Sequence, residues 1–466
     1  MTRDFADARL FADAQRYALE YLAASGERSV FPTPEAIAAL SAFDETLPDG
    51  TGDAHDVLAM LHRIGSPATV NQIGGRYFGF VNGSVVPVAL AAKQMASAWD
   101  QNAATYASSP LCSRLEGVVE GWLRELFGLP AETVAGFVSG SSIATFSGLA
   151  AARYRLLERL GWDVNERGLR ESPPLRIVTG DQAHASVAKA INLLGFGQAC
   201  VERVPTDDQG RLRIDRLPSL DDRTILILQA GNVCTGSFDP IAAAVARARE
   251  ASAWTHVDGA FGLWAAASPR LADLTKGIEH AHSLSADAHK TLNTPYDNGV
   301  VLCRDREALA EAMKFAGAYL PTNEHRNGMA YTPEMSRRSR VVEQWATMRY
   351  LGRQGMDDLV GGLHERAVQF GEELTAAGFR VLNDVVFNQV LVACDDDSTT
   401  TATLAAVQSS GVCWCGGTTW EGRPAIRISV SSWVTTAEDV TRCVAAFKAA
   451  RALSPSPNPS LKEGGG

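Results

Sequence analysis

Residues 254–262 read WTHVDGAFG. The short apolar run Trp254–Val257 reads as a strand, and it ends at once in Asp258 followed by Gly259, Ala260, Phe261 and Gly262. A carboxylate at a buried strand end is costly unless it meets a cationic partner. In open sheets of parallel strands the ligand site lies beyond the carboxyl ends. Such a strand needs neighbours of its own kind.

It has six. Val134–Val138, Leu175–Val178, Ala199–Val204, Thr224–Leu228, Ser283–Ser285 and Gly299–Cys303 are short apolar runs separated by segments of helical spacing. Several are apolar throughout, as expected of strands covered on both faces of a mostly parallel sheet. Strands alternating with helices give an α/β layer structure. A second unit begins near Gly355, with a helix to about Ala377 and strands at Arg380–Val381, Val386–Ala393, Val412–Cys415 and Ala425–Val430. It reads as a smaller C-terminal α+β domain. Upstream, Asp4 to Ala24 has amphipathic helical spacing, and so does the stretch from about Pro87 to Phe127. The expected division is an N-terminal helical segment over 1–86, a large domain over 87–354, a small domain over 355–453 and a disordered tail over 454–466. That tail is rich in Ser, Pro and Gly.

The 466 residues are 46% hydrophobic and 21% charged, enough for a large core. A net charge of -10 argues against nucleic acid or an anionic membrane as partner, since both need a basic footprint. Eight scattered cysteines in so long a chain read as reduced thiols. No apolar run is long enough to span a bilayer, and the first twenty residues lack the pattern of a signal peptide. A soluble, cytoplasmic protein is expected.

Chemistry is sought after each strand. Val134–Val138 leads into Ser139-Gly140-Ser141-Ser142 and a strongly helical stretch, where open backbone N–H groups and the helix dipole favour an anion. Ser283–Ser285 leads into Ala286-Asp287-Ala288-His289-Lys290. In an enclosed site desolvation favours the neutral form of a lysine, a nucleophile for carbonyl chemistry. A phosphate cradle at Ser141 and Ser142, a carboxylate for a pyridine nitrogen at Asp258 and a Schiff-base lysine at Lys290 together match pyridoxal 5'-phosphate. The small Ala260 would let the ring lie flat. After Leu175–Val178 comes His184, an imidazole placed to stack on the ring and contact a substrate carboxylate.

These segments resemble the group II pyridoxal-phosphate-dependent amino acid decarboxylases. The resemblance rests on "DQAHASVAKA" (181–190), "HVDGAFG" (256–262) and "DAHKTLNTPYDNG" (287–299). It extends over "GRYFGF" (75–80), "ASSPLCSRLEGVVEGWLRELFGLP" (107–130), "SRRSRVVEQWATMRYLGRQG" (336–355) and "AIRISVSSW" (425–433). It implies PLP fold type I, with a seven-stranded large domain, a small C-terminal domain and a homodimer whose sites lie at the interface. By motif, Ser141 and Ser142 would bind phosphate, His184 would stack on the ring, Asp258 would pair with its nitrogen, Lys290 would carry it and His289 would lie beside it. Asp287 stands where some members have Asn touching the phosphate.

Three departures from the family pattern stand out. Thr291 follows the lysine where many members have Trp. The segment from Gln229 to Gly236 replaces a Gly-Thr-Thr pattern, leaving Asn232 as a polar candidate. The loop from Tyr319 to Met335 puts Gly328 where a proton-donating tyrosine is expected, with Tyr331 and His325 as candidates nearby. Tyr77, Phe78, Phe80 and Tyr106 are candidate pocket aromatics, and Arg427 a candidate for the substrate carboxylate. His280, His282 and His289 with Asp287 form a local cluster, but ligation needs convergent, deprotonated groups and no metal is expected. The expected activity is decarboxylation of an L-amino acid to CO2 and an amine through Lys290. A transaminase or an aldol-type lyase on the same fold is the alternative, because fold alone does not fix the reaction.

Overall fold

The computed structural model describes residues 7–314 and 325–453. The expected tail over 454–466 and the part of the loop from Tyr319 to Glu324 lie outside the described residues.

Twelve strands run in chain order among the described residues. They are β1 (Tyr77–Phe78), β2 (Val134–Val138), β3 (Arg176–Gly180), β4 (Val201–Val204), β5 (Thr224–Gln229), β6 (Trp254–Asp258), β7 (Ser283–Asp287), β8 (Gly299–Cys303), β9 (Arg380–Val381), β10 (Gln389–Ala393), β11 (Trp414–Trp420) and β12 (Arg423–Ser429). Seven form the large sheet, in the order β2-β8-β7-β6-β5-β3-β4. Only β8 runs against the others. The α/β large domain with a mostly parallel seven-stranded sheet is therefore as expected. Strand β5 shows why its sequence is apolar throughout. Ile225 and Ile227 pack into the core on one face, Leu226 and Leu228 into the core on the other, and all four are buried. Alternating side chains serve opposite faces, so a strand covered on both sides has no polar phase.

The stretch from Pro87 to Phe127 forms two helices, Pro87–Trp99 and Pro110–Leu126, each opening with a proline in its first turn. Asp100, at φ 47°, ends the first, and the Ser109 side chain caps the second. The helix expected from Gly355 is the second half of Val341–Ala376, which breaks at Gly352 (φ 58°, ψ -170°). A left-handed φ is cheap for glycine and costly elsewhere, so the break sits there.

The smaller sheet has the order β1-β11-β12-β10-β9. Its core gathers Phe370, Leu374, Val390, Val392, Ile426, Ile428 and Phe447. Strand β1 lies in the 1–86 segment but pairs in parallel with β11, Tyr77 opposite Trp414 and Phe78 opposite Cys415. The N-terminal segment is thus stitched to the C-terminal unit. Phe78 fills the small core, edge-on to Phe370 at 4.9 Å.

Candidate active site

The antiparallel β8 separates β2 from β7, so β2, β3, β6 and β7 all point their carboxyl ends to one edge of the sheet. Gly140, His184, Asp258 and the turn carrying Lys290 follow those four ends. Gly140 and Gly299 pack backbone against backbone there. A Cβ on Gly299 would lie 2.5 Å from Gly140 Cα.

Asp287 ends β7 and is buried. Its carboxylate accepts the Ser141 backbone N–H and the Ser141 hydroxyl, the latter at 2.8 Å. Lys290 Nζ stands 3.2 Å from Asp287 Oδ2, and His289 Nε2 stands 3.7 Å away. Asp287 thus supplies an anion to the start of the helix Ser141–Arg159, so Ser141 is already engaged. Ser142, the next residue, is exposed at that same helix start. His289 Nδ1 accepts the Asn298 N–H at 3.0 Å, and the ring stacks on Tyr296 at 4.2 Å. Accepting a backbone N–H leaves the proton on Nε2, the nitrogen facing Asp287. Burial holds the His289 pKa below its ordinary value.

Asp258 ends β6 and is also buried. Both its hydrogen bonds fall on Oδ1, from Ala260 N–H at 3.2 Å and from the Ser285 hydroxyl at 3.3 Å. Among the described residues Oδ2 accepts none. Burial raises its pKa, while His184 and Lys290 pull it down. His184 caps the helix Ala185–Leu193, and its Nδ1 accepts the Ser186 N–H at 3.2 Å. The proton of the neutral ring is therefore on Nε2. Its pKa is lowered, first by burial, with Asp258, Lys290 and Arg427 as charged neighbours. The structure thus brings Ser141, Ser142, His184, Asp258, Ala260, Asp287, His289 and Lys290 to one edge.

The residues fit pyridoxal phosphate by their chemistry. A buried carboxylate with one oxygen unserved suits a protonated ring nitrogen. A primary amine stands at the same edge, and a helix start with an exposed hydroxyl suits a phosphate. Thr291 has a structural role, donating to Phe261 O at 2.8 Å and so tying the lysine turn to the one after Asp258. Asn232 accepts N–H bonds from Cys234 and Thr235 within its own turn, and its buried Nδ2 has no partner.

Arg427 lies on β12, where one Nη donates to Val233 O at 3.3 Å and the buried Nε has no partner. Its charge acts on His184 and Tyr77. Tyr77 stacks on Trp414 at 5.3 Å, and burial pushes its phenol up to about 12. Phe80 is exposed, tilts over Trp414 at 5.4 Å and has φ 53°. Tyr106 stacks on His325 at 3.8 Å.

Tyr331 is not brought to this group within one chain. Its backbone carbonyl lies against Gly136, midway along β2, and its ring packs on the core beneath, with the Arg326 guanidinium 4.8 Å from the ring centre. Gly328 has a physical reason to lack a side chain, because a Cβ there would lie 1.7 Å from Arg337 Nη2. That guanidinium is held by buried Glu116 at 2.6 Å, and Arg326 pairs with both Glu116 and Glu120. Nor do the histidines of the possible metal cluster converge. His282 precedes β7, stacks on Trp254 and accepts the Thr255 N–H, whereas His289 follows the far end of that strand. Five residues of strand separate them by roughly 17 Å. No group of metal-binding residues occurs among the described residues.

Sequence reasoning missed Gly83 and Asn293. A Cβ on Gly83 would lie 2.1 Å from the Lys290 carbonyl oxygen. Asn293, three residues past the lysine, is fully buried and bonded to the lysine turn and to two distant segments. Its one sequence signal is an Asn just after a lysine turn, a residue type that tolerates left-handed backbone.

The family described as "Pyridoxal-dependent decarboxylase conserved domain" matches residues 39–393. An L-2,4-diaminobutyrate decarboxylase of Rhizobium meliloti (strain 1021) is 28% identical over 430 residues, covering 86% of this chain and 83% of that protein. The crystal structure of Oryza sativa TDC with PLP and tryptamine superposes with a TM-score of 0.88 at 21% identity, covering 96% and 98% of the two chains. A Catharanthus roseus tryptophan decarboxylase in complex with L-tryptophan gives 0.84 at 19% identity, with the same coverage of 96% and 98%. These structural likenesses establish the fold.

Proposed function

Because this chain belongs to the pyridoxal-dependent decarboxylase family, we propose that its site takes the α-carboxylate from an L-amino acid, releasing CO2 and an amine, with pyridoxal 5'-phosphate held on Lys290. The carrying observation is that the Lys290 amine acts electrostatically on buried Asp258, whose Oδ2 accepts no hydrogen bond among the described residues. Family membership favours this reaction over transamination or aldol-type cleavage. When bound, the cofactor supplies an electron sink for the bond broken at Cα.

The chain's own residues do the rest. Asp258, short of donors on Oδ2, would pair with the cofactor's ring N–H, a contact that favours its ionised form. Ser142 would offer its hydroxyl to the phosphate at the helix start, beside Ser141, which is engaged by Asp287. Ala260 would leave room for the flat ring, and His184 would lie against it with its Nε2–H available to the substrate. Arg427 brings an unserved Nε–H to the substrate carboxylate, a charge-assisted contact. Lys290 would carry the cofactor through its amine, and His289 holds a neutral ring against Asp287. We also propose a homodimer, supported by the apolar residues exposed on the N-terminal helices, including Phe11, Leu19, Val57 and Leu61. A cytoplasmic location accords with eight free cysteines. No described helix is long and apolar enough to cross a membrane.

Borohydride reduction of the yellow protein should fix the label on Lys290, and Lys290→Ala should abolish turnover. A panel of L-amino acids, assayed separately for CO2, amine, keto acid and aldehyde, reads the reaction. Label on another lysine, or keto acid without CO2, would overturn the reading.

A further inference from the structure

The turn that carries Lys290 is held from outside by one side chain. Asn293 is fully buried with φ 55°. The two hydrogens of its Nδ2 are shared among Lys290 O at 3.1 Å, Thr291 O at 2.9 Å and Ser431 O at 2.9 Å. Its Oδ1 accepts the N–H groups of Ser84 at 2.9 Å and Trp433 at 3.0 Å. Its backbone N–H donates to Lys290 O, and its carbonyl accepts the Val86 N–H at 2.8 Å. Backbone N–H groups only donate and backbone carbonyls only accept, so the amide orientation is unambiguous. The left-handed backbone and the mixed donor–acceptor demand both select asparagine. The fit is close, because Gly83 lays the N-terminal segment on the carbonyls of His289 and Lys290.

We propose that Asn293 is a positioning residue for Lys290. It clamps the lysine turn between the N-terminal segment that bears Phe80 and the C-terminal unit whose β12 bears Arg427. The backbone is thereby fixed, so that only the Lys290 side chain moves during capture and release of the cofactor. The proposal rests on the reading that Lys290 carries pyridoxal phosphate.

The test is the rate at which borohydride fixes pyridoxal phosphate on Lys290, followed by peptide mapping. Asn293→Gly keeps the backbone conformation and removes the amide. It should slow labelling by about tenfold or more while the protein stays folded, since small misplacements of a reacting group are costly. Asn293→Asp keeps the two acceptor contacts, loses the donors and should be slowed as well. Gly83→Ala, which wedges the same junction from the opposite side, should slow labelling too. In the unaltered protein the amide hydrogens of Val86 and Asn293 should exchange as slowly as those of β6. Labelling at the wild-type rate in any folded variant, or fast exchange at both amides, overturns the proposal. If the unaltered protein labels on another lysine, the cofactor reading fails instead.

Discussion

Asp258 and Asp287 end neighbouring parallel strands on the same edge of the sheet, and both are buried. Their surroundings differ. Asp287 takes two donors from Ser141 and has Lys290 at 3.2 Å and His289 at 3.7 Å. Asp258 takes two longer bonds on a single oxygen, and burial raises its pKa. A carboxylate that is fully served holds structure together. One that is buried and under-served awaits a cation, and perturbed groups of that kind mark functional sites. Residue type and strand position are the same, so the donors make the difference.

The largest expected effect tests this contrast directly. Asp258→Asn should lower the rate of amine release at saturating cofactor by about a thousandfold, roughly 4 kcal/mol of lost electrostatic stabilisation. Asp287→Asn should cost no more than about tenfold, roughly 1.4 kcal/mol. Equal losses would erase the distinction between the two ends.

A smaller effect is expected one layer out. The Arg427 charge acts on His184, which in turn faces Asp258. Arg427→Gln should raise KM by about thirtyfold with a lesser change in kcat, as removal of a charge-assisted contact to the substrate carboxylate does. A kcat loss with KM unchanged would assign Arg427 to packing of the small domain.

Both aspartates were legible before the structure, because each ends a short run read from the sequence as a strand. What stayed hidden depends on partners far along the chain. Asn293 reaches Ser84 across 209 residues and Trp433 across 140, and no local pattern encodes either. Strand β1 is two residues long and has a partner only because β11 lies alongside it. The role of Thr291 in place of a tryptophan became plain only with Phe261 beside it. Counting along the loop placed Tyr331 near the expected donor position, but a count carries no depth, and the ring lies against the core below β2.

The contrast also predicts opposite stability effects in protein stripped of cofactor. The folded-state pKa of Asp258 is raised, so the folded chain binds its proton more tightly than the unfolded chain does. Stability from this group is present at low pH and is lost as pH rises from the ordinary carboxylate range through the raised value. Asp258→Asn should therefore stabilise the stripped protein at neutral pH by about 1 kcal/mol and flatten that slope. Asp287→Asn should destabilise it by about 1–3 kcal/mol, because Ser141 and Lys290 lose their anion. Urea unfolding at several pH values reads both.

The smallest effect is expected at Tyr331, and it bears on whether one chain makes a complete site. Tyr331→Phe keeps the ring beneath Arg326 and removes only the hydroxyl. Within one chain that hydroxyl lies away from Lys290, so amine release should change by no more than about threefold, roughly 0.7 kcal/mol. A loss of about a hundredfold or more would mean that the phenol delivers its proton to the site of a second copy, since general acid catalysis contributes on that scale. Mixing then separates the cases. Chains carrying Tyr331→Phe, unfolded and refolded with chains carrying Lys290→Ala, would regain activity only if the tyrosine works across a dimer. In that mixture one site has an intact lysine from the first chain and an intact tyrosine from the second. Without such recovery the contribution of Tyr331 is confined to its own chain, and the Nε2–H of His184, a neighbour of Asp258, is the proton source to test next.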